Sequence, residues 1–280
     1  MRTTTRVAVI GGGVVGCSVL YHLTKLGWSD VMLIERSELT SGSTWHAAGG
    51  FHTLNGDTNM AALQGYTIKL YKELEEITGM SCGLHHVGGV TLADNQERFD
   101  MLLAERAKHR YMGLETEIVG PEEIKKIAPV TNTDGILGAL YDPLDGHLDP
   151  SGTTHAYAKA ARMGGASIET HCKVEETNQR PDGTWDVVTD KGTIHAEHIV
   201  NAAGLWAREV GAMAGIYLPL HPMEHQYIVT DDIADIKAMP AEHPHVMDPA
   251  GESYLRQEGR GLCIGFYEQP CRPWAVDGTP

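Results

Sequence analysis

The stretch that most constrains this chain is Arg6-Val-Ala-Val-Ile10, running straight into Gly11-Gly-Gly-Val-Val-Gly16. The β-branched apolar run reads as a buried parallel strand. Val14, Val15, Val19, Leu20, Leu23 and Leu26 then recur at helical spacing, and Gly27 stands where a C-terminal cap belongs. Val31-Met-Leu-Ile34 reads as a second strand and ends in Glu35. A lone G-x-G-x-x-G says little, but strand, glycine turn, helix, strand and acid in that order form a dinucleotide-binding fingerprint. Gly11 makes the tight turn, Gly13 lets backbone approach a pyrophosphate, and Gly16 lets the helix pack on the strand. The helix N-terminus, with Val14 and Val15 in its first turn, offers N–H groups and a positive dipole end to phosphate. Glu35, followed by Arg36, can accept from ribose hydroxyls, and a carboxylate there disfavours a 2′-phosphate.

The loop beyond this unit is Ser41-Gly-Ser-Thr-Trp-His-Ala-Ala-Gly-Gly50. Ser41, Gly42, Ser43 and Thr44 can supply hydroxyls and N–H groups to phosphates. His46 lies where a dinucleotide leaving Glu35 would bring its far ring. The ordinary role of a lone histidine is that of a hydrogen-bonded surface or core residue, and it fits as well.

At 280 residues the chain has room for about two domains. A formal charge of −15 favours solubility and argues against nucleic acid as a partner. No apolar run approaches the roughly 20 residues a bilayer crossing needs. The N-terminus lacks a signal-peptide core. The reading is therefore a cytoplasmic protein without a membrane partner. Cysteines 17, 82, 172, 263 and 271 are dispersed with no C-x-x-C, as reduced thiols are. His221 and His225 have the spacing of a helical metal pair, but Pro222 argues against a helix, and His243 and His245 flank Pro244. No metal site is expected. No G-x-S-x-G supports hydrolase chemistry.

The glycine turn, Glu35-Arg36 and the Ser41–Gly49 loop resemble the start of the dimethylglycine and sarcosine dehydrogenases, flavoproteins of the D-amino-acid-oxidase superfamily. The likeness continues through Asp145-Gly-His-Leu-Asp-Pro150, Asn201-Ala-Ala-Gly-Leu-Trp-Ala207, His225-Gln-Tyr227 and Tyr254-Leu-Arg256, and so covers nearly the whole chain. It implies an α/β fold with a discontinuous, Rossmann-like FAD-binding domain over residues 1–84 and 145–215. A mostly antiparallel substrate domain would take residues 85–144 and 216–280. The cofactor implied is FAD, attached through its 8α carbon to His46 of Thr44-Trp45-His46-Ala47-Ala48. Val174 would offer backbone groups to the adenine, and Ala202, Ala203 and Gly204 would line the cofactor. Trp206 would pack nearby or serve as an ordinary core residue.

The activity implied is oxidative N-demethylation of a small N-methylated glycine, dimethylglycine or sarcosine, by hydride transfer to flavin. Hydride leaves more easily from a neutral amine, so a nearby base of modest pKa helps. The resemblance makes His225 that base and Tyr254 its partner near the amine. Arg256 could meet a substrate carboxylate or form a surface ion pair. Oxygen or an electron-transfer flavoprotein would take the electrons, and a eukaryotic source would place the protein in the mitochondrial matrix. Another amine or amino-acid oxidase of the superfamily, or a catalytically silent flavin-binding fragment, fits the same residues.

Between these motifs, Asn59 to Thr78 reads as an amphipathic helix with Leu63, Tyr66, Leu70, Leu74 and Ile77 on one side and Gly79 at its end. Further helices are expected at 96–112, from Pro121, and over 150–165, and a strand over 166–174. Residues 183–189 and 192–195 read as a hairpin around Asp190-Lys-Gly, with a separate strand at 199–204. Prolines then cluster around short strands at 224–230 and 262–267. No late glycine-rich unit follows before Asp277-Gly-Thr-Pro280. The expectation is an N-terminal part of a longer enzyme, whose incomplete sheet would leave it poorly soluble or weak in FAD binding when expressed alone.

Overall fold

The computed structural model describes residues 2–53, 55 and 57–280, so Met1, Leu54 and Gly56 lie outside the described residues. The N-terminal unit forms as read: β1 (Thr4–Ile10), α1 (Val14–Lys25) and β2 (Val31–Ile34). β1 and β2 pair in parallel, with Val7 opposite Val31 and Ile10 opposite Ile34. Both faces of β1 are covered, which explains its uninterrupted apolar sequence. Val7 and Val9 join one core cluster, while Ala8 and Ile10 join another on the opposite face. In α1, Cys17, Leu20 and Tyr21 are buried, whereas Leu26 and Val15 are exposed. Leu26 is the cap residue of α1, and Gly27 takes the left-handed conformation just beyond it.

After the short β3 (Gly50–Phe51) comes α2 (Thr58–Thr78), started by the Asp57 carboxylate accepting from Asn59 N and Met60 N and ended by left-handed Gly79. Its buried stripe differs from the expected one. Leu70 and Leu74 are buried, together with Ala61 and Ile68, while Leu63, Tyr66 and Ile77 are exposed. The helix offered more than one apolar face, and its neighbours cover the one through Leu70 and Leu74.

β4 (Gly89–Ala93), α3 (Gln96–Tyr111), β5 (Glu117–Val119), α4 (Pro121–Ile127) and β6 (Gly138–Asp142) form an excursion. Here Val90, Leu92, Val119 and Ile124 share a core. The chain returns through β7 (Gly146–His147), which pairs with β3, into α5 (Pro150–Met163). Ala156, Ala158, Ala160 and Ala161 of α5 are buried in the same cluster as Cys17 and Leu20 of α1. Small side chains there let the two helices approach closely.

β8 (Ser167–Glu169) and β9 (Val174–Gln179) replace the single strand expected over 166–174. Their roles are distinct: β8 pairs in parallel with β2, whereas β9 pairs antiparallel with β10 (Trp185–Thr189). The expected hairpin exists, but β11 (Gly192–Asn201) is one continuous strand rather than two. It pairs antiparallel with β10 through its first half, Gly192 to Ala196, and parallel with β1 from His195 to Asn201. The resulting six-stranded sheet has the order β8-β2-β1-β11-β10-β9.

α6 (Ala207–Met213), β12 (Tyr227–Val229), α7 (Ala234–Ala238), β13 (His245–Asp248), β14 (Ser253–Glu258) and β15 (Gly261–Phe266) complete the chain. The strands of this last stretch join those of the excursion in a seven-stranded sheet of order β12-β15-β14-β13-β4-β6-β5. It is antiparallel except where β13 runs parallel to β4.

Candidate cofactor site

The carboxyl ends of β1, β2 and β11 converge on the glycine turn. Gly11 has φ +116°, and a methyl group there would lie 2.3 Å from the Ala202 carbonyl oxygen. One at Gly16 would lie 1.9 Å from the Gly11 carbonyl oxygen. These two glycines hold the turn, α1 and the end of β11 in contact. Gly13 is different: a methyl there would meet only the Thr44 hydroxyl, at 3.0 Å. Its open side leaves room for a ligand at the start of α1. Gly13 supplies no capping side chain, and the Val14 N–H donates to Thr44 Oγ1 at 3.0 Å. The loop bearing Thr44 is thereby fastened to the helix N-terminus, the end that favours phosphate.

Glu35 accepts from Gly12 N at 2.6 Å through one oxygen and from Ser37 N at 2.8 Å through the other. Each oxygen keeps a second lone pair for a further donor. Around these groups lies a cavity of about 810 Å³, within the range of small-molecule and cofactor sites. Gly11, Gly13, Val14, Val15, Glu35, Arg36, Ser41, Gly42, Ser43, Thr44, Val174, Ala202, Ala203 and Gly204 all line it. This accounts for the exposed Val15, whose apolar side chain faces the cavity rather than a core. The Arg36 guanidinium sits 4.8 Å from the Trp206 ring centre, and Trp206 also lines the cavity. Sequence reasoning missed Ser37, Lys173, Leu205 and Glu209, which line it too. Ser37, Lys173 and Leu205 each adjoin an expected contact, Arg36, Val174 and Gly204, whereas nothing in the sequence flags Glu209.

Gly16, Trp45, His46 and Ala48 belong to the two motifs expected at the cofactor but are not among the lining residues. Gly16 acts through packing. His46 is exposed, its ring tilted 39° to that of Trp45 with centres 3.9 Å apart, and its Nδ1 lies 3.1 Å from the Gly42 carbonyl oxygen. Ala48 offers its carbonyl to Arg256 Nε, and Arg256 Nη1 also reaches Gln257 O at 2.8 Å and Glu258 at 2.7 Å. Arg256 thus ties β14 to the His46 loop.

Beside that tie lies a row of rings. Tyr254 stacks on His245 at 6.0 Å and meets Tyr267 at 5.7 Å, and Tyr267 stacks on His225 at 5.1 Å. Tyr267, expected only as the end of a strand, stands between His225 and Tyr254. The partner of His225 Nδ1 is Glu268, at 3.0 Å. Burial pushes the Tyr254 phenol up to about 12. Behind it, His245 is buried at the start of β13; burial, then His52, holds it down at about 3. His52 in turn pairs with Asp145 at 3.0 Å.

A fingerprint glycine turn, a ribose-side acid and a cavity at the carboxyl edge of a parallel sheet describe a dinucleotide site. The family model for FAD-dependent oxidoreductases matches residues 6–280. The chain belongs to the FAD-dependent oxidoreductase family. Among curated relatives, it is 45% identical to rat (Rattus norvegicus) mitochondrial dimethylglycine dehydrogenase, over 100% of this chain and 33% of that protein. It is 39% identical to human (Homo sapiens) mitochondrial sarcosine dehydrogenase, over 96% of this chain and 29% of that protein. It therefore spans about a third of the length of these relatives. Among solved structures, the L-proline dehydrogenase of P. horikoshii superposes with a TM-score of 0.85 at 29% identity, over 95% of this chain and 70% of that one. Glycine oxidase from Geobacillus kaustophilus gives 0.81 at 26% identity, over 99% and 73%. The residues lining the cavity fit FAD: small or glycine where phosphates pass the α1 N-terminus, and a carboxylate where a ribose belongs.

Proposed function

We propose that this chain carries the cofactor- and amine-binding part of an enzyme that oxidatively demethylates a small N-methylated glycine. The observation that carries the reading is the Arg256–Ala48 tie. It ties β14, which carries Tyr254, to the loop bearing His46, and Tyr267 and His225 continue the row of rings from Tyr254, so that one wall would serve both cofactor ring and substrate. The names of the two dehydrogenase relatives support the substrate class.

Bound FAD supplies the two-electron acceptor. The residues of the chain hold it and prepare the amine. The α1 N-terminus with Ser41, Ser43 and Thr44 binds the pyrophosphate, Glu35 the ribose, and the Val174 backbone the adenine. His46 is the proposed covalent tether, its exposed ring being free to meet the far end of the cofactor. The Glu268 carboxylate fixes Nδ1 of His225, which leaves Nε2 to take the proton of the substrate ammonium. The Tyr254 phenol stays protonated and donates a hydrogen bond beside the amine. Arg256, already engaged by protein groups, positions the loop and does not serve as the substrate-carboxylate partner.

The division into a cofactor domain (1–84 and 145–215) and a substrate domain (85–144 and 216–280) accords with how the strands are shared between the two larger sheets. An electron-transfer flavoprotein is the proposed oxidant of the reduced enzyme, by analogy with dehydrogenase relatives. The named relatives are mitochondrial, and no helix among the described residues is long and apolar enough to cross a membrane. Four of the five cysteines are buried, which suits a reducing compartment, cytoplasm or matrix.

Anaerobic mixing with dimethylglycine or sarcosine should bleach the flavin. Bleaching only by an amino acid lacking an N-methyl group would instead favour a different oxidase of the family, and no flavin at all would favour a silent module.

A further inference from the structure

Away from the cofactor cavity, three ligand-type side chains converge from three separate parts of the chain. His85 and His147 face each other across an isolated antiparallel bridge, their rings stacked at 4.7 Å and 10°. Glu242, between α7 and β13, sets one carboxylate oxygen 2.8 Å from His85 Nδ1 and the other 2.9 Å from His147 Nε2. The three donor atoms lie within 4.8 Å of one another. We propose that His85, His147 and Glu242 form a binding site for one divalent transition-metal ion of the zinc class.

The donor set carries the assignment. Two imidazoles and a carboxylate suit a borderline ion such as Zn²⁺ or Co²⁺, and three protein ligands leave one coordination position open. The Glu242 carboxylate compensates part of the ion's charge. His147 is the fixed ligand, its side chain only 7% exposed on β7. Binding replaces the two N–H···O bonds to Glu242. The proton of each imidazole moves to that ring's other nitrogen, His85 Nε2 and His147 Nδ1.

One rearrangement is required. An imidazole donates in its own ring plane, and two parallel planes cannot meet at one ion. His85, with its side chain 48% exposed, is the ring that must turn out of the stack. His85 and Glu242 also line a polar cavity of about 670 Å³, which receives the open coordination position. Lys237 and Arg260 line the same cavity and favour an anion or hydroxide as fourth ligand; Lys237 is itself paired with Asp232 at 2.6 Å. Because β7 pairs with β3, the ion would clamp the strand that follows the His46 loop to the segment entering β13.

The test is calorimetric titration of the chelator-stripped, full-length flavoprotein with Zn²⁺. Histidine is common in this chain, with 15 residues, so variants decide the location. Wild type should bind one equivalent per chain. Glu242→Gln and His85→Gln should each weaken that event beyond the 10–100-fold typical of losing an outer-shell partner. His195→Gln, which removes a histidine paired with Asp186 in the other sheet, should leave it unchanged. Zn²⁺ should also raise the melting temperature of wild type and not of Glu242→Gln. Glu242 and His85 are partly exposed, so both variants should fold, with flavin content reporting that they do. Absence of a saturable site in wild type, or undiminished affinity in Glu242→Gln, would overturn the assignment.

Discussion

Gly16→Ala tests whether the glycine turn works by close packing. In an unstrained helix this change gains about 1 kcal/mol of helix propensity. Here the new methyl would sit 1.9 Å from the Gly11 carbonyl oxygen and 3.0 Å from its carbon. Both are backbone atoms in a turn whose other side abuts Ala202, so neither can swing aside. Ordinary contact begins near 3.4 Å, so α1 and the turn must part by more than 1 Å. Overpacking of this kind costs about 1–3 kcal/mol, which offsets the propensity gain and exceeds it at the upper end. The larger effect falls on the cofactor, because the moving part is the helix N-terminus proposed to meet the pyrophosphate. A displacement of that size in a positioned site is worth about 100-fold. We expect Gly16→Ala to be isolated with most of its flavin missing, because the displaced turn fails to load the cofactor that His46 would then tether, while its melting temperature falls by only a few degrees. Gly27→Ala is the control: its φ is +88° and nothing lies within reach of a methyl. It should cost stability through backbone strain, of order 1 kcal/mol, and keep the wild-type flavin ratio. A Gly16→Ala protein that retains full flavin content and stability would refute the packing argument.

Three further outcomes are expected. Acid-precipitated wild type should stay yellow and His46→Ala should release its flavin; colour lost from the wild type would rule out the tether. His225→Ala should slow anaerobic reduction by dimethylglycine about 100-fold or more, whereas an unchanged rate with unchanged pH dependence would remove His225 from the amine step. His245 has its folded pKa depressed to about 3 from 6.5, so the unfolded chain binds the extra proton between those values. Its contribution is present above pH 6.5 and is lost as pH falls, at up to about 1.4 kcal/mol per pH unit. Urea titrations from pH 7 to 4 should show this loss, and His245→Gln should flatten it; equal slopes would contradict burial of a neutral ring.

What the sequence determined by itself is local. The turn from β1 into α1, the acid ending β2, the capped α2 and the hairpin of β10 and β11 all follow from near-neighbour chemistry. Left-handed glycines, apolar runs and helix caps act over a few residues, so their spacing is enough to read them. The cofactor loop was legible for the same reason, helped by a likeness that spans the chain. The tertiary structure decided which surfaces meet. That Leu70 and Leu74, not Leu63 and Tyr66, face the core depends on what packs against α2. That 199–201 continues the strand begun at 192 depends on β1 taking over as a parallel partner from His195, as the pairing with β10 ends at Ala196. Tyr267 between His225 and Tyr254, Arg256 on the Ala48 carbonyl, and Glu242 joining His85 to His147 link residues 13 to 208 positions apart. The physical reason is that such contacts depend on sheet order and register, which no short-range pattern encodes.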